Sequence, residues 1–276
     1  MKTRIYQICY SPETMANVPD GFLMLNNVKN ERADWREYWP IREFLRSNHL
    51  SDDVLYGFMS PKFGQKAGLQ YQDIQKFLNE NYSGQDVVSF SPFWDLVSIF
   101  KNVFEQGDFF HPGLSDTCQL FADAHVSGLN LQDSITHSQN TIFCNYFLAK
   151  KSFWLEWLAL GELLFHESEN QQTELSKKLN DTTSYGVQNL PMKIFVQERL
   201  ATICLLANPK IKCLAYSPFE IGASTTLFNQ FLREAILSDA LKIAYSKTQQ
   251  HSYLREFSSI RNEIIATLAR TGEVEQ

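Results

Sequence analysis

Glu198 and His111 are two side chains of this sequence whose types could take up a proton. Glu198 sits in Met192–Asn208, where Ile194, Phe195, Val196, Leu200, Ile203 and Leu206 recur at helical spacing and leave Gln197-Glu198-Arg199 at the edge of the apolar stripe. A carboxylate there could deprotonate a hydroxyl as a general base. The plainer alternative is a surface charge pair on an amphipathic helix. His111 is the second candidate. It opens His111-Pro112-Gly113, a rigid turn, and a histidine's ordinary pKa lies near neutrality. It could bind substrate or act as a base, or simply bond a loop carbonyl. In Ser60-Pro61-Lys62-Phe63 a hydroxyl and an ammonium could hold a phosphate between them. The alternative for Lys62 is a solvated loop lysine. Asp123-Ala124-His125 is a weak candidate for a metal pair. Leu120, Phe121, Ala124 and Val126 make that segment helical, and residues i and i+2 on a helix do not face one another.

Several constellations are missing. The chain has no G-x-x-x-x-G-K-[ST], no G-x-G-x-x-G, no H-E-x-x-H, no G-x-S-x-G and no kinase-like set. A diphosphate held by Lys, Arg and helix N-termini fits this sequence better than one held by a metal or a glycine-rich cradle.

The elements that must position these residues alternate through the first half. Strands are expected at Arg4–Tyr10, Val54–Met59, Asp86–Phe90 and Thr141–Phe147. Between them helices are expected over Trp35–Ser47, with Asp34 as N-cap and Pro40 in or before the first turn, and over Tyr71–Asn81. One helix should follow Ser91-Pro92 and carry Leu96, Val97, Phe100, Val103 and Phe104, and another should span Leu114–Val126. Gly128–Gln139 reads as a loop. Ser152–Phe165 reads as a helix whose Trp154 either joins the core or stacks on a sugar ring. Glu167–Gln188, rich in polar residues, reads as an exposed or mobile linker. Then come the single helix Met192–Asn208, a short strand at Lys212–Ala215, and helices Phe228–Tyr245 and Tyr253–Ala269. Gly272 should stop the last helix, and Gly272–Gln276 should fray. The alternation implies an α/β fold, a mainly parallel sheet flanked by helices, with a helical C-terminal part. Ligands in such folds bind beyond the carboxyl ends of strands, here after Tyr10, Met59, Phe90 and Phe147.

With 276 residues, 44% hydrophobic and 13% aromatic, the chain can bury a large core in one domain. A formal charge of −6 without a dense basic run argues against nucleic acid as a partner. Cys9, Cys118, Cys144, Cys204 and Cys213 are odd in number and scattered, as for small core residues in a reducing compartment. No apolar run approaches the length of a membrane span, so a cytoplasmic protein is expected, with peripheral contact at the inner face of the membrane left open.

Six segments, taken in order, resemble a bacterial glycosyltransferase-like family of the GT-A type found with capsule and lipopolysaccharide genes. They are IYQICYSPET, DWREYWPI, DDVLYGFMSPKFGQKAGL, DVVSFSPF, NTIFCNYFLAKKSFW and MKIFVQERL. The resemblance implies one GT-A-like, Rossmann-related domain over 1–276. Its nucleotide-sugar-binding half would be 1–150, and 151–276 would supply the acceptor pocket. It implies transfer of a sugar from a nucleotide-sugar donor to a carbohydrate acceptor in surface polysaccharide synthesis. Tyr6, Ser60, Lys62 and Pro92 would lie near the donor. Asn145, Tyr146 and Arg199 would bind substrate, with His111 and Glu198 at the transfer site. The class commonly uses Asp-x-Asp to bind a divalent cation, Mn or Mg. This chain lacks that pair and has only Asp123 and His125 as weak substitutes. Two other readings stay open: a non-catalytic carbohydrate- or nucleotide-binding module, and a helical interaction protein whose Phe- and Leu-rich C-terminal helices form a homo-oligomer.

Overall fold

The structure, a computed structural model, describes residues 2–170 and 172–271. The strands are β1 (Lys2–Cys9), β2 (Leu23–Asn26), β3 (Val54–Met59), β4 (Val87–Ser89), β5 (Phe147–Ala149), β6 (Thr182–Tyr185), β7 (Gln188–Pro191) and β8 (Cys213–Ala215). Six of them form one sheet in the order β2-β1-β3-β5-β4-β8. All neighbours pair in parallel except β5, which runs antiparallel to both β3 and β4. The protein is thus α/β, with a mixed but mostly parallel sheet.

Alternation along the strands serves two cores. Ile8, Tyr56, Phe58, Val87 and Phe147 face the helices Tyr38–Ser47 and Lys151–Asn170 through Tyr38, Ile41, Trp154 and Trp157. Ile5, Leu55, Met59, Val88 and Leu148 face Phe63–Ala67 and Tyr71–Asn81 through Phe63, Ala67, Ile74 and Leu78. Apolar side chains on both faces are what a sheet covered on both sides requires. Trp154 lies fully inside the first core and donates from Nε1 to the Tyr56 carbonyl at 3.0 Å, so it is no sugar platform. Gly57 in β3 stands opposite Leu148 of β5, and a Cβ there would meet Leu148 Cδ2 at 2.2 Å. Gly57→Val should therefore cost about 1–3 kcal/mol through overpacking, measurable as a lowered urea midpoint.

A third cluster joins the C-terminal helices Leu232–Thr248 and His251–Thr271 to the helix Trp94–Ser98 through Phe100, Ala235, Ile264 and Leu268. Lys242 pins this joint. Its buried Nζ donates to the carbonyls of Val97 at 2.9 Å and Phe100 at 2.7 Å, and burial pushes its pKa down to about 8. A cation at carbonyls left over beyond a helix end replaces the bonds that the helix cannot make.

The expected strands at the N-terminus and at Val54–Met59, and the helix Tyr71–Asn81, are present. Five expectations need correction. Asp34 is not an N-cap: its carboxylate is taken by Arg32 at 2.9 Å and Lys193 at 2.8 Å, and the helix starts at Tyr38 with Pro40 in its first turn. The helix after Pro92 is two helices, Trp94–Ser98 and Val103–Phe110, because the Asn102 side chain accepts from the amides of Phe104 and Glu105 and begins a new one. No strand covers Thr141–Tyr146: Cys144 and Asn145 have φ of 64° and 56°, so β5 starts only at Phe147. Glu167–Gln188 is no linker outside residue 171. It holds the end of Lys151–Asn170, the helix Glu174–Asn180 capped by Thr173, and the hairpin β6–β7. The single helix Met192–Asn208 is split into Met192–Gln197 and Leu200–Ala207 at Glu198-Arg199. The expected stop at Gly272 and fraying of Gly272–Gln276 lie outside the described residues. No helix among the described residues is long and apolar enough to cross a membrane.

Candidate functional site

The chain leaves β1 toward β2 on one side and returns to add β3 on the other, so the order reverses at the carboxyl ends of β1 and β3. A cavity of about 610 Å³ opens at that point, where α/β sheets bind ligands and within the size range of small-molecule sites. Tyr10 follows β1, and Ser60, Pro61 and Lys62 follow β3. Antiparallel β5 begins at the same edge and delivers Cys144 and Tyr146. The segment before Tyr38 supplies Arg36 and Glu37, and the helix Phe63–Ala67 supplies Lys66. The hairpin contributes Tyr185, Gln188 and Leu190, and the broken helix contributes Ile194, Phe195 and Glu198.

Three cations, Arg36, Lys62 and Lys66, thus share one wall system with two carboxylates, Glu37 and Glu198. Glu198 is half-buried, and no hydrogen bond or ion pair holds its carboxylate among the described residues. Burial pushes its pKa up to about 7; the Arg199 charge opposes this and the nearby Glu37 charge adds to it. Ser60 Oγ and the Tyr146 hydroxyl lie 2.7 Å apart, and burial raises the Tyr146 phenol. Lys66 Nζ donates to Cys144 Sγ at 4.0 Å, yet burial keeps the thiol up at about 12 and therefore neutral. Arg36 Nη2 donates to Gln188 Oε1 at 3.4 Å, a bond from the first half of the chain to the hairpin.

The backbone around the cavity is strained. Asn30, Arg36 and Cys144 line it with φ of 44°, 48° and 64°, and Asn145 at 56° lies between two lining residues. Such left-handed non-glycine residues cost about 1–3 kcal/mol each and gather at functional sites.

Helix geometry explains how Glu198 reaches this place. At the break the Arg199 amide bonds the Val196 carbonyl at 3.0 Å, three residues back. The carbonyl four residues back, Phe195 O, accepts instead from Arg199 Nη1 at 2.7 Å. Arg199 Nε and Nη2 go to Val103 O at 3.0 Å and Gln106 Oε1 at 2.9 Å. Its guanidinium is thereby fully committed beneath the site and does not line it.

Of the residues expected from sequence, Ser60, Lys62, Tyr146 and Glu198 meet in the cavity, and the others do not line it. The His111 ring stacks on Phe195 at 3.7 Å, behind the wall; burial lowers its pKa to about 4 and its Nδ1 has no partner. Tyr6, half-buried, packs between Phe44 and Phe58 at the edge of the first core. Pro92 is buried outside the lining. Asn145 turns inward, its Nδ2 donating to Gln197 Oε1 at 3.1 Å while its Oδ1 stays unpaired. Asp123 is bonded by Gln119, and His125 lies 3.4 Å from Glu167, so neither meets the other at a cation. Among the described residues no three His, Cys, Asp or Glu side chains converge as a metal site. The strand-end rule pointed to the position after Tyr10, which does line the cavity, whereas sequence reasoning missed Arg36, Glu37, Lys66, Cys144 and Tyr185. A single signal pointed at most of them: Arg36 and Glu37 lie in DWREYWPI, and Lys66 lies in SPKFGQKAGL.

No protein-family model matches the chain, and neither does any curated protein or any solved structure.

Proposed function

We propose that this chain is a glycosyltransferase that moves a sugar from a nucleotide-sugar donor to a carbohydrate acceptor, within a GT-A-like α/β domain and in bacterial surface polysaccharide synthesis. The observation that carries the reading is Glu198, a carboxylate with pKa about 7, in one cavity with Arg36, Lys62 and Lys66. Five of the six segments behind the resemblance meet there: IYQICYSPET through Tyr10, DWREYWPI through Arg36, DDVLYGFMSPKFGQKAGL through Lys62, NTIFCNYFLAKKSFW through Cys144 and MKIFVQERL through Glu198. Distant segments that share only a chain need not share a cavity.

The chemistry is a displacement at the sugar's anomeric carbon. The bond from that carbon to the donor's phosphate oxygen breaks, and a bond to the acceptor oxygen forms. Glu198 takes the acceptor's hydroxyl proton, and the diphosphate leaves with the electron pair. Its growing negative charge is stabilised by the ammonium groups of Lys62 and Lys66 and the guanidinium of Arg36. The carboxylates of the cavity do not suit a resident divalent cation, because both stand among cations and, among the described residues, no third ligand joins them. No step here is routed through a metal.

Thermal shift against UDP, GDP, CMP and dTDP, each with and without manganese, tests the donor reading. One nucleotide should raise the melting temperature, by mass action worth about 2.7 kcal/mol at a hundredfold excess over its Kd. Lys62→Met/Lys66→Met should remove that shift. If none of the four shifts the wild type at millimolar concentration, the nucleotide-sugar reading is wrong.

A further inference from the structure

A second cavity of about 500 Å³ lies across the Ser60–Pro61 ridge, and those two residues line both chambers. We propose that it is a carbohydrate subsite, which holds units of an oligosaccharide acceptor beyond the sugar that receives the transfer. The inference rests on the glycosyltransferase reading and specifies its acceptor as a chain rather than a monosaccharide.

The two chambers differ in chemistry. The first carries three cations, whereas the second carries none. Its only ionisable group is Asp20, and its other polar groups include the amides of Asn17, Gln70 and Gln72. Amides both donate and accept, and a carboxylate accepts twice, which suits neutral hydroxyls and repels phosphate. Phe22 adds a half-buried ring to the wall, 6.2 Å from Phe63. An aromatic face beside amides and one carboxylate suits a sugar's apolar C–H face and its hydroxyl rim.

The wall that bears Asp20 and Phe22 is fixed before any ligand arrives. The Phe22 amide bonds the Pro19 carbonyl at 3.0 Å, closing a turn with Gly21 at φ 86°. A Cβ on Gly21 would come within 2.4 Å of the Tyr71 ring, so the turn sits directly on the helix Tyr71–Asn81.

Gly64 supplies the independent observation. It stands in the helix Phe63–Ala67, where glycine costs about 0.5–1 kcal/mol against alanine. Its φ is not left-handed, and a Cβ on it would meet no heavy atom within 4 Å. Neither the backbone nor packing requires glycine there. It is exposed at the second cavity, which it helps to line, and a side chain there would stand over open space.

Gly64→Leu is therefore the test, since a Cβ there meets no heavy atom within 4 Å, the side chain grows from a position that lines the chamber, and leucine is the better helix former. The probes are trisaccharides of glucose, galactose, mannose and N-acetylglucosamine, read by saturation-transfer NMR, beside UDP, GDP, CMP and dTDP titrated by calorimetry. At least one trisaccharide should bind the wild type and bind Gly64→Leu at least tenfold more weakly, with an unchanged melting temperature and unchanged nucleotide affinity. Equal trisaccharide binding by both proteins overturns the subsite, as does no trisaccharide binding to a wild type that binds a nucleotide. Loss of nucleotide binding in Gly64→Leu also overturns it, because the second chamber would then hold the nucleoside. A wild type that binds a trisaccharide but no nucleotide keeps the subsite and sinks the donor reading instead.

Discussion

Glu198→Gln should lower transfer by about 10²- to 10⁴-fold, the usual worth of a positioned general base, while nucleotide binding survives. The amide keeps the shape of the side chain and loses the ability to accept a proton. In the wild type the rate should fall as pH drops below about 7, where burial has set the Glu198 pKa, and the residual rate of the variant should lack that limb. The same substitution should stabilise the fold above neutrality. The folded pKa is raised, so between the ordinary carboxylate value of 4.5 and about 7 the folded state holds more proton than the unfolded chain. Stability from this group is complete below that window and is lost as pH rises through it. At pH 8 the wild type keeps a charge in a place that disfavours it, and glutamine relieves about 1–3 kcal/mol, counting roughly 1.4 kcal/mol per pKa unit and discounting for partial exposure. Paired measurements of turnover and melting temperature at pH 8 decide the matter. Retained turnover removes Glu198 as the base. Lost turnover with a lowered melting temperature makes it a structural residue.

The layered α/β plan was legible because it rests on local signals. β3 and the helix Tyr71–Asn81 occur at the expected boundaries, since apolar period and flanking turn residues agree there. The errors fall where a side chain overrides its own backbone. Asn102 caps its way out of one helix, and Arg199 takes the Phe195 carbonyl that a continuous helix would have used. Both residues look harmless in a periodicity, because their partners come from the fold. Cys144 and Asn145 lie inside the apolar and aromatic run Thr141–Phe147 that reads as a strand, yet they turn left-handed to bring Tyr146 to Ser60. The candidate site was half legible for the same reason. Ser60 and Lys62 could be found by the rule that ligands lie beyond strand ends. Arg36 and Glu37 could not, because the pattern puts them inside a helix Trp35–Ser47, whereas the helix starts at Tyr38 and leaves them in the segment ahead of it. His111 and Arg199 have side chains suited to chemistry and were read as functional, whereas burial makes one neutral and commits the other to three acceptors.

Arg199→Met should cost about 3–5 kcal/mol, the penalty for removing one partner from a buried charged network. Arg199 is 3% exposed, and its loss would strand Val103 O, Phe195 O and Gln106 Oε1 where water cannot replace it. The cavity beneath the site is built for this group: a Cβ on Gly107 would come 2.6 Å from Arg199 Nη2 and 2.3 Å from Leu114 Cδ2. Arg199→Lys should not rescue, because one ammonium cannot span acceptors that the guanidinium reaches in three directions. The same substitution carries a second readout, which mere loss of stability would not produce. The Arg199 charge opposes the rise in the Glu198 pKa. Removing it should push that pKa higher still and move the acid limb of the rate profile to higher pH in whatever protein remains folded at low temperature. A melting temperature within about 2 °C of wild type, a shift worth only about 1 kcal/mol in a chain of this size, would deny Arg199 its role as anchor. A large loss of stability with an unmoved pH limb would keep the anchor and separate it from the tuning of Glu198. Both effects together would show that the break in the helix positions the base and also sets how strongly it holds its proton.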